Sequence, residues 1–128
     1  MKNFGVDNMK FFFDTYALIE MIEGNPGYDK YLDSNGVTLS GNVAELFWFF
    51  LKKHDEKTAR YFHERFSRLI VDFPSDLIAE SMTFRYKHKK KQFSPFDCFG
   101  YSYAQANNRI FVTGDRAFKG LKNVEIVR

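Results

Sequence analysis

Two kinds of apolar run alternate along the chain. Short β-rich runs occur at residues 10–13, 37–39, 70–73, 110–112 and 124–127, and longer stretches between them carry apolar residues at helical spacing. After the first run, Ala17, Leu18, Met21 and Ile22 mark a helix over 15–23. Gly24-Asn25-Pro26-Gly27 breaks it, a short helix is expected over 28–32, and Ser34-Asn35-Gly36 reads as a turn. Ser40 offers a cap to a helix over 42–51. A helix over 55–69 turns Ala59, Phe62, Phe66 and Leu69 inward and Lys57, Arg60, Arg65 and Arg68 outward. Pro74-Ser75-Asp76 opens another through Ile78, Met82 and Tyr86. Ser94-Pro95 is a cap followed by a first helical residue, and Phe96, Phe99, Gly100, Tyr103, Ala104 and Asn107 form the apolar stripe of the helix it starts. Asn107-Asn108 ends that helix, and the next strand halts at Thr113-Gly114-Asp115.

Every pair of successive strands is separated by enough chain for a crossover, so the pattern specifies an α/β fold: a mainly parallel sheet of about five strands with helices on both faces. The expected organisation is one domain over 9–128, with residues 1–8 as an N-terminal arm or leader because they show no periodicity. At 128 residues the chain can bury a core without disulfide or metal support. The helix over 42–51, NVAELFWFFL, is apolar on nearly every face apart from Glu45. It is expected to be covered by the core and by a partner.

Composition narrows the setting. No stretch reaches the roughly 20 apolar residues that cross a bilayer, the start lacks a basic-then-apolar leader pattern, and the lone Cys98 cannot form an internal disulfide. The expectation is a cytoplasmic protein with no membrane segment. A net charge of +3 is too small to announce a nucleic-acid partner, but its distribution is uneven. Residues 85–91, RYKHKKK, place five cations and a histidine together, whereas 14–33 hold five acids and one lysine.

Four acids stand at element ends or in apolar surroundings: Asp14 after the first strand, Glu45 in the apolar helix, Asp97 in a first helical turn, and Asp115 after the strand at 110–112. In open α/β sheets ligands collect outside the carboxyl ends of the strands, where Asp14 and Asp115 fall. A hard divalent cation would compensate such acids, and it suits phosphate chemistry. Each acid also has an ordinary structural role open to it. Asp14 can be a helix N-cap, Asp97 a capping or dipole partner, Glu45 one half of an ion pair, and Asp115 a turn residue. The run from Arg85 can be a solvated helix end. His54, His63 and His88 lack metal-ligand spacing and are expected at the surface, and Tyr101 and Tyr103 are expected to pack rather than stack on bases.

Taken together, these segments resemble a PIN domain, and more narrowly the VapC toxins of toxin–antitoxin pairs. FFFDTYALIE resembles the first motif of that family, SGNVAELFWFFL the second, and SPFDCFGYSYAQANN with IFVTGDRAFKGL and VEIV the third and fourth. The match runs from residue 9 to 127, with the acids in the family's order. Phe96 and Cys98 depart from it, standing where small residues flank the third acid.

The resemblance implies a Rossmann-like fold. It implies a Mg²⁺- or Mn²⁺-dependent endoribonuclease in which Asp14, Glu45, Asp97 and Asp115 are catalytic metal ligands and Thr15 and Thr113 support them. Arg85, Lys87, Lys89, Lys90 and Lys91 would hold the RNA backbone. It further implies a cognate antitoxin, with the 42–51 helix as its candidate surface, and a homodimer. The rival readings are a non-catalytic RNA- or protein-binding module on the same fold, and a phosphoacceptor receiver. The second lacks the lysine expected after a late strand, where this chain has Thr113-Gly114-Asp115.

Overall fold

The computed structural model describes residues 9–128, so the arm expected at 1–8 lies outside the described residues. Strands β1 (Lys10–Phe13), β2 (Asn35–Val37), β3 (Ile110–Thr113) and β4 (Val124–Ile126) form one sheet in the order β2-β1-β3-β4. All pairings are parallel, with Phe12 in register with Val37 and Phe111, and Phe111 with Val124. Five helices connect and cover them: α1 (Thr15–Ile22), α2 (Ser40–Lys53), α3 (Glu56–Ser67), α4 (Leu77–Lys87) and α5 (Pro95–Ala106).

Side-chain alternation along β1 and β3 builds two cores. Phe13 and Val112 point to one face, where they meet Ala17 and Leu18 of α1, Leu46 and Phe50 of α2, and Ala59 of α3. Phe12 and Phe111 point to the other, against Cys98, Tyr101 and Ala104 of α5 together with Phe93 and Phe118. Phe12 stacks on Phe111 at 5.6 Å between ring centroids, and Phe93 on Phe118 at 4.4 Å. The high aromatic content is thus spent largely on the core, where burying each such side chain contributes about 1.5–3 kcal/mol.

Several expectations are corrected. The strand expected at 70–73 is reduced to one parallel bridge, Thr38 with Ile70, leaving four strands rather than about five. Asp72 is already exposed and Pro74 follows, so the chain leaves the edge at once. Strand β2 starts at Asn35, inside the expected turn. Gly36 is in the sheet because Phe13 covers it, and a Cβ there would stand 2.0 Å from Phe13 Cε2. The residue capping α2 is Leu39, with Ser40 as the first helical residue. The helix expected through Ile78, Met82 and Tyr86 is α4, and of these Met82 packs against the core. Ile78 and Tyr86 are exposed while Leu77 and Ser81 are buried, Ser81 Oγ donating to the Leu77 carbonyl at 2.7 Å. On α5 the buried positions include Cys98 and Tyr101 beside the expected Gly100 and Ala104, while Phe96 and Asn107 face outward. His54 and His63 are exposed, but His88 is half-buried between Phe84 and Phe93.

Candidate active site

The chain leaves β1 toward β2 on one side and β3 toward β4 on the other, although β1 and β3 are neighbours. Diverging connections open a crevice at the carboxyl ends of that central pair. Asp14 follows β1 directly and Asp115 lies just past β3.

Asp14 caps α1: its Oδ1 accepts the Ala17 amide at 2.8 Å, and its Oδ2 accepts the hydroxyl of fully buried Thr113. The same hydroxyl oxygen accepts the backbone N–H of Asp115 at 3.0 Å, so Thr113 joins the two strand-end acids. Asp115 Oδ1 in turn accepts the Ala117 amide at 2.9 Å and caps a 3₁₀ turn. From α2, Glu45 Oε1 accepts the Thr15 hydroxyl at 2.6 Å, and Asn42 Nδ2 donates to Thr15 Oγ1 at 3.2 Å. From α5, Asp97 Oδ2 accepts the Ser94 amide at 2.9 Å while Ser94 Oγ accepts the Asp97 amide, a reciprocal capping box.

All four acids line one open cleft of about 430 Å³, together with Thr15, Tyr16, Trp48, Lys52 and Ser94. A roomier hollow of about 650 Å³ between α1 and α3 has Asp33 as its one lining carboxylate, so convergence of acids rather than volume marks the site. Burial pushes Asp14 up to about 7 from 3.8. The negative charges of Asp97 and Asp115 push the same way, against the lowering effect of the Thr113 and Ala17 hydrogen bonds. Burial also raises Glu45, with Asp97 adding to it and the Thr15 hydrogen bond opposing. Asp97 is raised by burial and by Asp115, against its Ser94 contacts. The acids therefore sense one another across the cleft. Among the described residues no three acid, histidine or cysteine side chains close on a common point, because Asp14, Asp97 and Asp115 each turn an oxygen toward their own caps.

None of the members of the basic run lines this cleft. Arg85 Nε donates to the Phe93 carbonyl at 2.9 Å, Lys91 Nζ to the Ala117 carbonyl at 2.9 Å, and Lys89 Nζ sits 4.5 Å from the centre of the Tyr86 ring. Lys87 and Lys90 are exposed. Tyr101 is buried and Tyr103 packs on Phe12, as expected of packing residues. Sequence reasoning missed Asn42, which is 2% exposed and whose Oδ1 has no partner among the described residues. Its signal was its position three residues before Glu45, on the same helical face.

An α/β sheet with carboxylates gathered at its switch point defines the general class of this protein. The sequence pattern of the PIN domain matches residues 11–124, and the chain belongs to the PIN domain family. The fold is shared with solved structures. The toxin–antitoxin complex from Klebsiella pneumoniae is matched at 21% identity over 91% of this chain and 96% of that one, with a TM-score of 0.71. VapBC2 from Rickettsia felis, bound to a DNA fragment from its promoter, is matched at 20% identity over 94% and 100%, with a TM-score of 0.74. A Pyrobaculum aerophilum protein is matched at 16% identity over 92% and 90%, with a TM-score of 0.66. No curated protein sequence matches the chain.

Proposed function

We propose that this protein is a Mg²⁺- or Mn²⁺-dependent endoribonuclease and the toxin of a toxin–antitoxin pair. The observation that carries the reading is the convergence of Asp14, Glu45, Asp97 and Asp115 on one cleft, three of them raised by burial and by mutual repulsion. The ion pairs among the described residues are Lys30–Glu125, Lys53–Glu23 and Arg60–Glu56, so none compensates these four acids. An all-oxygen donor set of this kind fits a hard divalent cation.

Asp14, Glu45, Asp97 and Asp115 would hold the ion, and a bound ion would supply an activated water and charge stabilisation at the phosphodiester. The chain's own part is orientation. Thr113 and the Ala17 amide orient the Asp14 carboxylate, Thr15 holds one oxygen of Glu45, and the capping box holds one oxygen of Asp97. Exposed Lys87 and Lys90, with Arg85, Lys89 and Lys91, would meet the RNA backbone. One of the similar structures is a toxin–antitoxin complex, which supports an antitoxin partner. The outward side of α2 around exposed Leu51 is the surface we assign to it. We also propose a homodimer working in the cytoplasm. No helix of the described residues is long and apolar enough to cross a membrane.

The capping contacts of Asp14, Asp97 and Asp115 favour a second reading, a non-catalytic binding module on the same fold. Incubation of the purified chain with structured RNAs in Mg²⁺, Mn²⁺ or chelator separates the two. The ribonuclease reading expects metal-dependent cuts at mappable positions and their loss in Asp14→Asn. RNA binding without cuts under any metal condition contradicts it and supports the module.

A further inference from the structure

We infer that Tyr16 and Trp48 form a base-stacking rim that makes the acidic cleft select unpaired nucleotides around the phosphate to be cut. The inference rests on the ribonuclease reading above and names residues that would set its specificity. Both rings line the cleft and stay open to solvent there, Tyr16 at 45% and Trp48 at 61% exposure. Each ring is tied to a different acid. Trp48 lies three residues after Glu45 on α2, on the same helical face. Tyr16 lies along the backbone at Gly114, next to Asp115, where a Cβ would stand 2.1 Å from Tyr16 Cε1. Gly114 is not in the left-handed region, so the position needs glycine for the ring and not for a turn.

Electrostatics explains why aromatic faces are needed here. The cleft is lined by four carboxylates and one cation, Lys52, whose Nζ lies 5.6 Å from the centre of the Trp48 ring. Such a wall repels a polyanion, and neutral π faces are the means left to hold nucleotides close to the acids. Stacking of a base on an aromatic side chain strengthens binding about tenfold per base. Paired bases cannot use such a rim because they are already stacked within the duplex. Exposed rings can also dock a protein, but rings placed beside carboxylates, one of them next to a lysine, match a nucleotide's base and phosphate.

Trp48 is the chain's single tryptophan, so its fluorescence reports the rim directly. A short single-stranded RNA should quench it, in chelator and in Mn²⁺, whereas the duplex of the same sequence and an abasic ribose–phosphate oligomer should not. Trp48→Leu should weaken single-strand binding about tenfold with an unchanged salt slope, and Trp48→Phe should recover most of the loss. The ring is mostly exposed, so both variants should melt like the parent. Where cleavage is measured, the leucine variant should raise KM and preserve kcat. Equal quenching by duplex or abasic oligomer, or parental binding by Trp48→Leu, overturns the inference and leaves the rings to a protein partner. If RNA is cut while Trp48→Leu binds normally, the rim fails and the ribonuclease stands. If nothing is cut but single strands still quench and the variant loses binding, the ribonuclease reading fails and the rim stands.

Discussion

Thr113 gives its hydroxyl proton to Asp14 and takes the backbone N–H of Asp115 on the same oxygen, so one buried side chain sets the spacing of two acids at neighbouring strand ends. Thr113→Val keeps the shape and removes both contacts. It should destabilise the protein by about 1–3 kcal/mol, because a buried carboxyl and an amide lose partners. Thr113→Ser should restore most of that in urea unfolding. Parental stability in the valine variant would mean that the bond does not organise the site.

Asp14 makes metal-free stability depend on pH. Its folded-state value of about 7 lies above the ordinary 3.8, so between those values the folded state holds a proton that the unfolded state has released. The contribution is fully present below about pH 4 and is lost as pH rises to about 7, amounting to roughly 4 kcal/mol. Raised Glu45 and Asp97 act in the same direction. Asp14→Asn cannot titrate, so its stability relative to the parent should climb over this window. A difference independent of pH, measured by denaturant unfolding in chelator, would contradict the assignment.

The basic run divides by its contacts. Lys87 and Lys90 have charges open to solvent, so converting both to glutamine should lower the salt slope of RNA binding by about 2 without affecting the fold. Arg85 ties α4 to Phe93, and Arg85→Gln should also destabilise by about 1 kcal/mol. An unchanged slope in the double lysine variant would identify these lysines as a solvated helix end.

Much of the fold was legible because its signals were local. The apolar runs at 10–13 and 110–112 and the cap at Ser94 gave strands and a helix start from sequence alone. Gly36 was misread because its glycine serves the Phe13 ring across the sheet, a long-range contact that resembles turn chemistry. The strand at 70–73 had the right residues but leaves the edge after one bridge. At the candidate site, Asp14 and Asp115 stand out in the sequence by their positions after strands, Asp97 by its first helical turn, and Glu45 by its apolar surroundings. Asn42, Tyr16 and Trp48 do not, because polar or exposed character at those positions acquires meaning only once α1, α2 and Gly114 are brought together.

Calorimetric titration of Mn²⁺ into the parent, Asp97→Asn and Glu45→Gln asks whether the four acids hold a divalent cation. Glu45 has a hydroxyl partner in Thr15 and no ion-pair partner among the described residues, so Glu45→Gln should keep that contact and leave metal-free stability undiminished. The parent should bind Mn²⁺ saturably, and each variant should bind at least tenfold more weakly and show a smaller Mn²⁺-induced rise in Tm. Parental Mn²⁺ affinity in both variants, or the absence of binding by the parent, would contradict cation binding by the four acids.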